Sequence, residues 1–312
     1  AQCSGVVGVK PTFGLIPRSG VLPTWPYLDT HGPMARNVAD AALVIDALLG
    51  PDGEDALAFD SPPSQPSYRS LDPASLRGAR LGIPETHIPR DRMSSESLAN
   101  FDRAVADLRG AGAEVITFSP RLFPANYRRS FAEFATARGD AAPDAYAPGP
   151  TANALLRYFR RHGGDAAAMV RRGHEAFRAF YDVLPESWEE MSRVMQEPYE
   201  RSAAGQSFAR SRAEAVRQLA DDLKEYRIEA MVYPTMPYPA FRLADGWPNI
   251  PTTLGYGNWL GIPEVSVPAG YGSDGMPSGN LSFVGTPGRD ARLLALAHSY
   301  QEASGRFVLA RR

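Results

Sequence analysis

Short apolar stretches and longer amphipathic segments alternate along the chain. Short stretches rich in Val, Ile and aromatic residues predict strands, whereas apolar residues that recur every three or four positions predict helices. Strands are predicted at residues 80–83, 114–117, 230–233, 265–267 and 281–284.

Helices are predicted where a polar cap precedes the apolar periodicity. Asn37 is a suitable N-cap for a first helix, Ser94 or Ser95 for a second, and a last helix is predicted over residues 290–303. The buried face of the first helix is predicted to comprise Ala41, Val44, Ile45 and Leu48.

The order of these elements predicts the fold class. The second helix lies between the strands at 80–83 and 114–117, which indicates a right-handed βαβ unit with parallel strands. Helical periodicity then runs from residue 124 to 228 before strands return. We therefore predict an α/β fold with a mixed, largely parallel sheet flanked by helices. Its α/β parts are residues 1–123 and 229–312, and a helical insertion occupies residues 124–228.

Composition excludes several classes of function. The 312 residues include 33 basic and 35 acidic ones, and the net charge of -2 provides no electrostatic basis for binding nucleic acid. No apolar run reaches the roughly 20 residues that span a bilayer, so we expect no membrane partner and a cytoplasmic location. Cys3 is the single cysteine, which excludes an internal disulfide, and we expect it to be a small buried side chain. The histidines lack the pairing that zinc requires, so neither a metal nor a cofactor is expected.

Residues 5–10, GVVGVK, are not a phosphate-binding loop despite their glycines and lysine. Such a loop has four residues between its glycines and a hydroxyl residue directly after the lysine, whereas Pro11 follows Lys10 here. We expect Lys10 to pack or to form an ion pair.

Four sequence blocks follow one another in a characteristic order. They are CSGVVGVKPTFGL at 3–15, LDTHGPMARNVADAA at 28–42, YPTMP at 233–237, and NWLGIPEVSVPAG at 258–270 with GMPSG and FVG behind it. In this order the blocks resemble the amidase signature family, serine hydrolases that cleave carbon–nitrogen bonds. They cover less than half of the chain, and residues 54–228 resemble no family.

The resemblance implies a mechanism that needs no histidine. In the family a lysine is the base, a serine on a cis peptide bond relays the proton, and a second serine attacks the amide carbonyl. Backbone N–H groups of a Gly-rich loop hold the oxyanion. The segment that residues 3–15 resemble follows the nucleophile, so we expect these reacting residues upstream of Ala1. The chain as printed is then expected to contain no catalytic residue and to be inactive by itself.

What the resemblance assigns to this chain is the acyl-side wall of the pocket. The candidates for substrate binding are Trp25, Tyr27, Thr235, Met236, Pro237 and Trp259. For each aromatic residue, ordinary core packing is an equally good interpretation.

We therefore predict an amidase that hydrolyses a small, uncharged aryl or alkyl carboxamide through an acyl-serine intermediate. One alternative is a glutamine-type transamidating subunit or a urea-derivative hydrolase of the same family. Transamidating members commonly carry an acidic residue just before the late Asn block, and residues 251–257 contain none. The other alternative is a non-catalytic, amidase-derived module that binds a partner, and a homodimer is left open as well.

Overall fold

The computed structural model divides the chain into two compact units. Unit 1 comprises Ala1–Arg18, Thr30–Ser130 and Ala215–Arg312, and unit 2 comprises Ser19–Asp29 and Phe131–Glu214. The structure describes residues 1–21, 28–50, 52–55, 57–59, 71–121, 157–161, 163–165, 168–169, 171–172, 201, 203–241, 244 and 256–306. Much of 124–228 lies outside these residues, so the predicted boundaries 1–123, 124–228 and 229–312 stay a prediction.

Unit 1 is built on a seven-stranded sheet with the order β2-β1-β6-β7-β5-β3-β4. Its strands are β1 Val7–Lys10, β2 Met34–Ala35, β3 Arg80–Pro84, β4 Glu114–Phe118, β5 Ala230–Pro234, β6 Glu264–Tyr271 and β7 Pro277–Val284. All five strands predicted from the apolar pattern are present.

The sheet is mixed, as predicted, but the expectation that it is largely parallel is wrong for the described strands. The pairs β3–β4 and β3–β5 are parallel, whereas β1–β2, β1–β6, β6–β7 and β5–β7 are antiparallel. For β3–β4 and for β6–β7 the reason is the length of the connection. The helix between β3 and β4 provides the crossover that parallel strands need, but only residues 272–276 separate β6 from β7, which allows a hairpin and no crossover.

The described helices are α1 Val38–Leu48, α2 Ser95–Gly110, α3 Ala203–Glu225, α4 Tyr256–Leu260 and α5 Asp290–Ser304. The predicted caps are confirmed, because the Asn37 side chain accepts from the Asp40 N–H and the Ser94 side chain accepts from the Ser97 N–H. Within unit 2, the part of α3 before Ala215 places the Arg212 guanidinium 4.6 Å from the centre of the Phe208 ring.

The buried face of α1 differs from the prediction. Ala41 and Ile45 are buried as expected, but Val44 and Leu48 are exposed. Val38 and Ala42 are buried instead. The helix packs against α5, β1 and β2, and the face that meets them is offset from the predicted one, so Val44 and Leu48 lie outside the contact.

The two faces of β6 and β7 differ in character. Val265, Val267, Leu281 and Phe283 lie on one face and are buried. Helix α5 packs on these strands and buries Leu293, Leu294, Leu296 and Ala297. Because side chains alternate along a strand, the residues between these apolar ones share the opposite face.

The start of the second sequence block lies directly against β1. The Val9 N–H donates to the Pro33 carbonyl at 3.0 Å, and a Cβ atom on Gly32 would overlap the Val9 carbonyl oxygen. Glycine is therefore needed at position 32 for the backbones to approach this closely. Within the described part of the chain, none of the helices combines the length and the apolar character needed to cross a membrane.

Candidate functional site

A buried polar cluster occupies the centre of the sheet on the face away from α5. It consists of Thr235, directly after β5, Glu264 and Ser266 on β6, and Asn280 and Ser282 on β7. Ser266 and Ser282 are directly opposite each other in the β6–β7 ladder, so they point to the same face. All five residues are buried, and the most exposed of them, Glu264, shows only 8% of its surface.

Hydrogen bonds join the cluster into one chain. The Asn280 amide Nδ2 donates to Ser266 Oγ at 3.0 Å, and Ser282 Oγ donates to Glu264 Oε1 at 2.6 Å. Between these ends, Thr235 Oγ1 lies 2.8 Å from the Oγ atoms of both serines. A hydroxyl has one hydrogen to donate, and that of Ser282 is used on the carboxylate. Thr235 therefore donates to Ser282, and Ser266 donates to Thr235.

The chain of hydrogen bonds thus has a fixed direction, from the Asn280 amide to the Glu264 carboxylate. Asn280 Nδ2 also donates to the Val6 carbonyl at 3.1 Å, which fixes the orientation of the amide. Asn280 Oδ1 itself accepts no hydrogen bond, but the bonds made by Nδ2 and by the three hydroxyl groups hold the cluster in a single arrangement.

Glu264 is a buried carboxyl group at one end of this cluster. Burial raises its pKa, against the opposing effects of the hydrogen bond from Ser282 and the positive charge of Lys10. Lys10 is the cross-strand partner of Glu264 in the β1–β6 ladder, and its Nζ donates to the Pro11 carbonyl at 2.8 Å. The role expected for Lys10, packing or an ion pair, stays a prediction.

Gln2 connects the first residues of the chain to the strand end after β5. Its Oε1 accepts from the Met236 N–H at 2.9 Å and from the Asn280 N–H at 3.3 Å. Its Nε2 donates to the Tyr238 carbonyl at 2.7 Å. Only 1% of Gln2 is exposed, so these are buried contacts.

The residues predicted for the acyl wall are distributed as follows. Thr235, Met236 and Pro237 are buried in the segment directly after β5, and Thr235 belongs to the polar cluster. Trp259 is buried in α4, the helix before β6, where its burial suits a core position as well as a pocket wall. Trp25 and Tyr27 lie outside the described residues. The assignment of these six residues to a substrate site stays a prediction.

Sequence reasoning missed Gln2, Glu264, Ser266, Asn280 and Ser282. A signal for four of them was present, because EVSV in β6 and NLSF in β7 alternate polar and apolar residues. Alternation usually marks a strand with one solvated face, so the burial of both faces could not be inferred.

Cys3 was expected to be buried, and this is wrong, because its side chain is exposed. It lies in the 3-10 turn Gln2–Ser4, whose successive residues point in different directions. The turn directs Gln2 inward to its three backbone partners, and Cys3 consequently faces outward.

The cluster is suited to shaping a site by hydrogen bonding. It combines hydroxyl, carboxamide and carboxyl groups at the end of β5. Among the described residues, no group of three or more His, Cys, Asp and Glu side chains is placed to hold a metal ion.

Comparison with known proteins places the chain in a family. A family model described as Amidase matches residues 1–294. The chain is 30% identical to the A subunit of glutamyl-tRNA(Gln) amidotransferase from a Ruegeria species, over 98% of its own length and 61% of that protein. It is 31% identical to the protein of the same name from Brucella anthropi, over 100% of its own length and 62% of the relative.

Among solved structures, the native peptide amidase from Stenotrophomonas maltophilia superposes with a TM-score of 0.71 at 27% identity, over 99% of this chain and 60% of that one. The chain thus spans about three fifths of the length of the relatives it matches. The match over residues 1–294, together with the four sequence blocks, shows that the chain belongs to the amidase family.

Proposed function

We propose that the protein hydrolyses the carbon–nitrogen bond of a carboxamide and releases a carboxylate with ammonia or an amine. The observation that carries this proposal is the match to the amidase family over residues 1–294. The structural similarity to a peptide amidase supports hydrolysis in particular. An acyl-serine intermediate is part of the proposal, since it belongs to the mechanism that the family resemblance implies.

The proposed substrate is a small, uncharged aryl or alkyl carboxamide. The acyl group would contact Thr235, Met236, Pro237 and Trp259, together with Trp25 and Tyr27. Met236, Pro237 and Trp259 are buried and apolar, which suits an uncharged acyl group. Replacing Tyr27 with Ala is then expected to reduce the discrimination between an aryl amide and acetamide by about 1–3 kcal/mol, the range for one apolar pocket contact.

Hydrolysis is tested directly by measuring ammonia release from benzamide, hexanamide and acetamide with the protein as encoded by its gene. A serine-directed fluorophosphonate should block the reaction and label one serine. Absence of ammonia release from all three amides, with the protein folded, would refute the proposed reaction.

A second measurement addresses residues 1–312 alone. These residues contain no Gly- and Ser-rich run of the kind that carries the reacting serines in the family, and we propose that they hydrolyse no amide by themselves. Stoichiometric fluorophosphonate labelling of a serine within 1–312, abolished by one Ser→Ala change, would contradict this.

A transamidating enzyme component is the second candidate, favoured by the relatives at 30% and 31% identity, both of which are glutamyl-tRNA(Gln) amidotransferase proteins. That activity would require glutamine as amide donor and a partner protein, whereas the hydrolase would work alone or as a homodimer. Glutamine labelled at its amide nitrogen distinguishes the two, because only a transamidating enzyme transfers the label to glutamyl-tRNA(Gln). A cytoplasmic location is part of both proposals.

A further inference from the structure

We propose that Gln2 is a positioning residue for the acyl wall. Its carboxamide holds residues 235–238 against β7 and thereby sets which acyl groups the site accepts. The inference rests on the proposed amide hydrolysis and adds a specificity determinant to it.

The position of Gln2 solves a hydrogen-bonding problem at the end of the β5–β7 ladder. The last regular bond there runs from the Thr235 N–H to the Asn280 carbonyl at 2.9 Å. Beyond it, the N–H groups of Met236 and Asn280 both approach the same point, and two donors cannot pair with each other. Gln2 Oε1 lies between them and accepts from both.

The other end of the same side chain holds the turn that follows. Gln2 Nε2 donates to the Tyr238 carbonyl at 2.7 Å, two residues beyond Met236. One buried carboxamide therefore satisfies two donors and one acceptor of the backbone. A carboxamide suits this position because it offers an acceptor and a donor side by side and carries no charge.

This contact bears on specificity because of what it holds. Residues 235–237 are the strand end proposed to line the acyl group. Thr235 is held from the sheet by its hydroxyl bonds to Ser266 and Ser282. Gln2, by contrast, holds the backbone at Met236 and Tyr238. Loss of Gln2 would therefore free the Asn280 N–H but keep the side-chain hydrogen bonds of the polar cluster, while the wall beyond Thr235 gains freedom to move.

The first test measures amide hydrogen exchange in the wild-type protein and two variants. Gln2→Met keeps the length of the side chain but removes both polar groups. We expect exchange at the Met236 and Asn280 amides to accelerate about 10- to 100-fold, as the loss of a buried acceptor predicts. Gln2→Glu keeps the acceptor and, in the protonated form that burial favours, also a donor for the Tyr238 carbonyl, so exchange at the Met236 and Asn280 amides should stay within about threefold of wild type.

Gln301→Met is the matched control. Gln301 Oε1 also accepts from a backbone N–H, that of Val38 at 2.8 Å, at the start of α1. This variant should accelerate exchange at Val38 and leave Met236 and Asn280 unchanged. It should also leave the preference among acyl groups as in wild type.

The second test measures specificity as the ratio of kcat/KM for benzamide over acetamide. In Gln2→Met the ratio should fall about 10-fold, the effect of one displaced apolar pocket contact, whereas Gln2→Glu should restore most of it. Gln301→Met should leave the ratio unchanged, and this separates a specific effect from general destabilisation.

Every result of these two measurements either supports or overturns the positioning role of Gln2. Faster exchange together with a lower ratio in Gln2→Met alone supports the proposal. Unchanged exchange at Met236 and Asn280 would overturn it, and so would faster exchange with an unchanged ratio, since Gln2 would then be merely structural. If Gln2→Met does not fold, a loss of protection in Gln2→Glu equally overturns it. A wild-type protein that hydrolyses none of the amides refutes the proposed function, whereas the exchange rates still test the contact itself.

Discussion

Replacing Thr235 with Val should destabilise the protein by about 2–3 kcal/mol. Thr235 Oγ1 is the middle of the hydrogen-bonded chain, 2.8 Å from both Ser266 Oγ and Ser282 Oγ. Valine has nearly the same shape but cannot form either bond. Each bond contributes about 1 kcal/mol net, and the hydroxyl hydrogen of Ser266 would be left buried without its acceptor, which costs about 1 kcal/mol more. The added methyl group offsets part of this loss.

Thr235→Ser is the matched control, because serine keeps the hydroxyl and loses only a methyl group, at a cost of about 1 kcal/mol. Urea unfolding of the three proteins gives the free energies of unfolding directly. We expect Thr235→Val to be less stable than Thr235→Ser by about 1–2 kcal/mol. Equal stability, or a more stable valine variant, would refute the hydrogen-bonded chain.

A double-mutant cycle with Ser282→Ala tests the direct bond between the two hydroxyl groups. Both single changes remove the same bond between Thr235 and Ser282, so the double variant should be about 1 kcal/mol more stable than the sum of the two effects predicts. Strict additivity would mean that the two hydroxyl groups do not interact.

Three further predictions concern the electrostatics and the close packing of unit 1. Burial raises the pKa of Glu264 above its ordinary value of 4.5, so the contribution of Glu264 to stability is present at low pH and is lost as the pH rises through the raised pKa. Glu264→Gln should flatten this decline of the free energy of unfolding, measured by urea unfolding at a series of pH values. The same decline with pH in both proteins would contradict the raised pKa. Burial by itself would raise the pKa of Asp55, but the hydrogen bond and charge of Arg18 outweigh it and lower the pKa below 3.8. Asp55 therefore stabilises the protein above that pH and less as the pH falls, and Asp55→Asn should weaken the acid sensitivity of the melting temperature. Gly32→Ala should destabilise the protein by more than about 2 kcal/mol, because the added Cβ would overlap the backbone of β1. Gly53→Ala is the control and should have little effect, because a Cβ at position 53 would have no atom within 4 Å. Similar melting temperatures for the two variants would contradict the close approach of Gly32 to β1.

The local elements of this protein follow from its sequence to a large extent. The N-caps Asn37 and Ser94 and the strands from β3 to β7 depend on neighbouring residues and on apolar periodicity, both of which are local properties. The family is equally readable, because four blocks in a fixed order are specific even when the rest of the chain resembles nothing. The same information correctly indicated a mixed α/β sheet.

The sense of strand pairing and the composition of the site depend on the tertiary structure. Strands β1 and β6 are antiparallel neighbours although more than 250 residues separate them, and no local pattern encodes such a pairing. Gln2 and Asn280 meet across a comparable separation. The EVSV and NLSF patterns predict strands with one polar face, but whether water or protein covers that face is decided by the rest of the fold. Burial then converts ordinary polar residues into a directed hydrogen-bonded cluster, because in the absence of water each donor must find its acceptor within the protein.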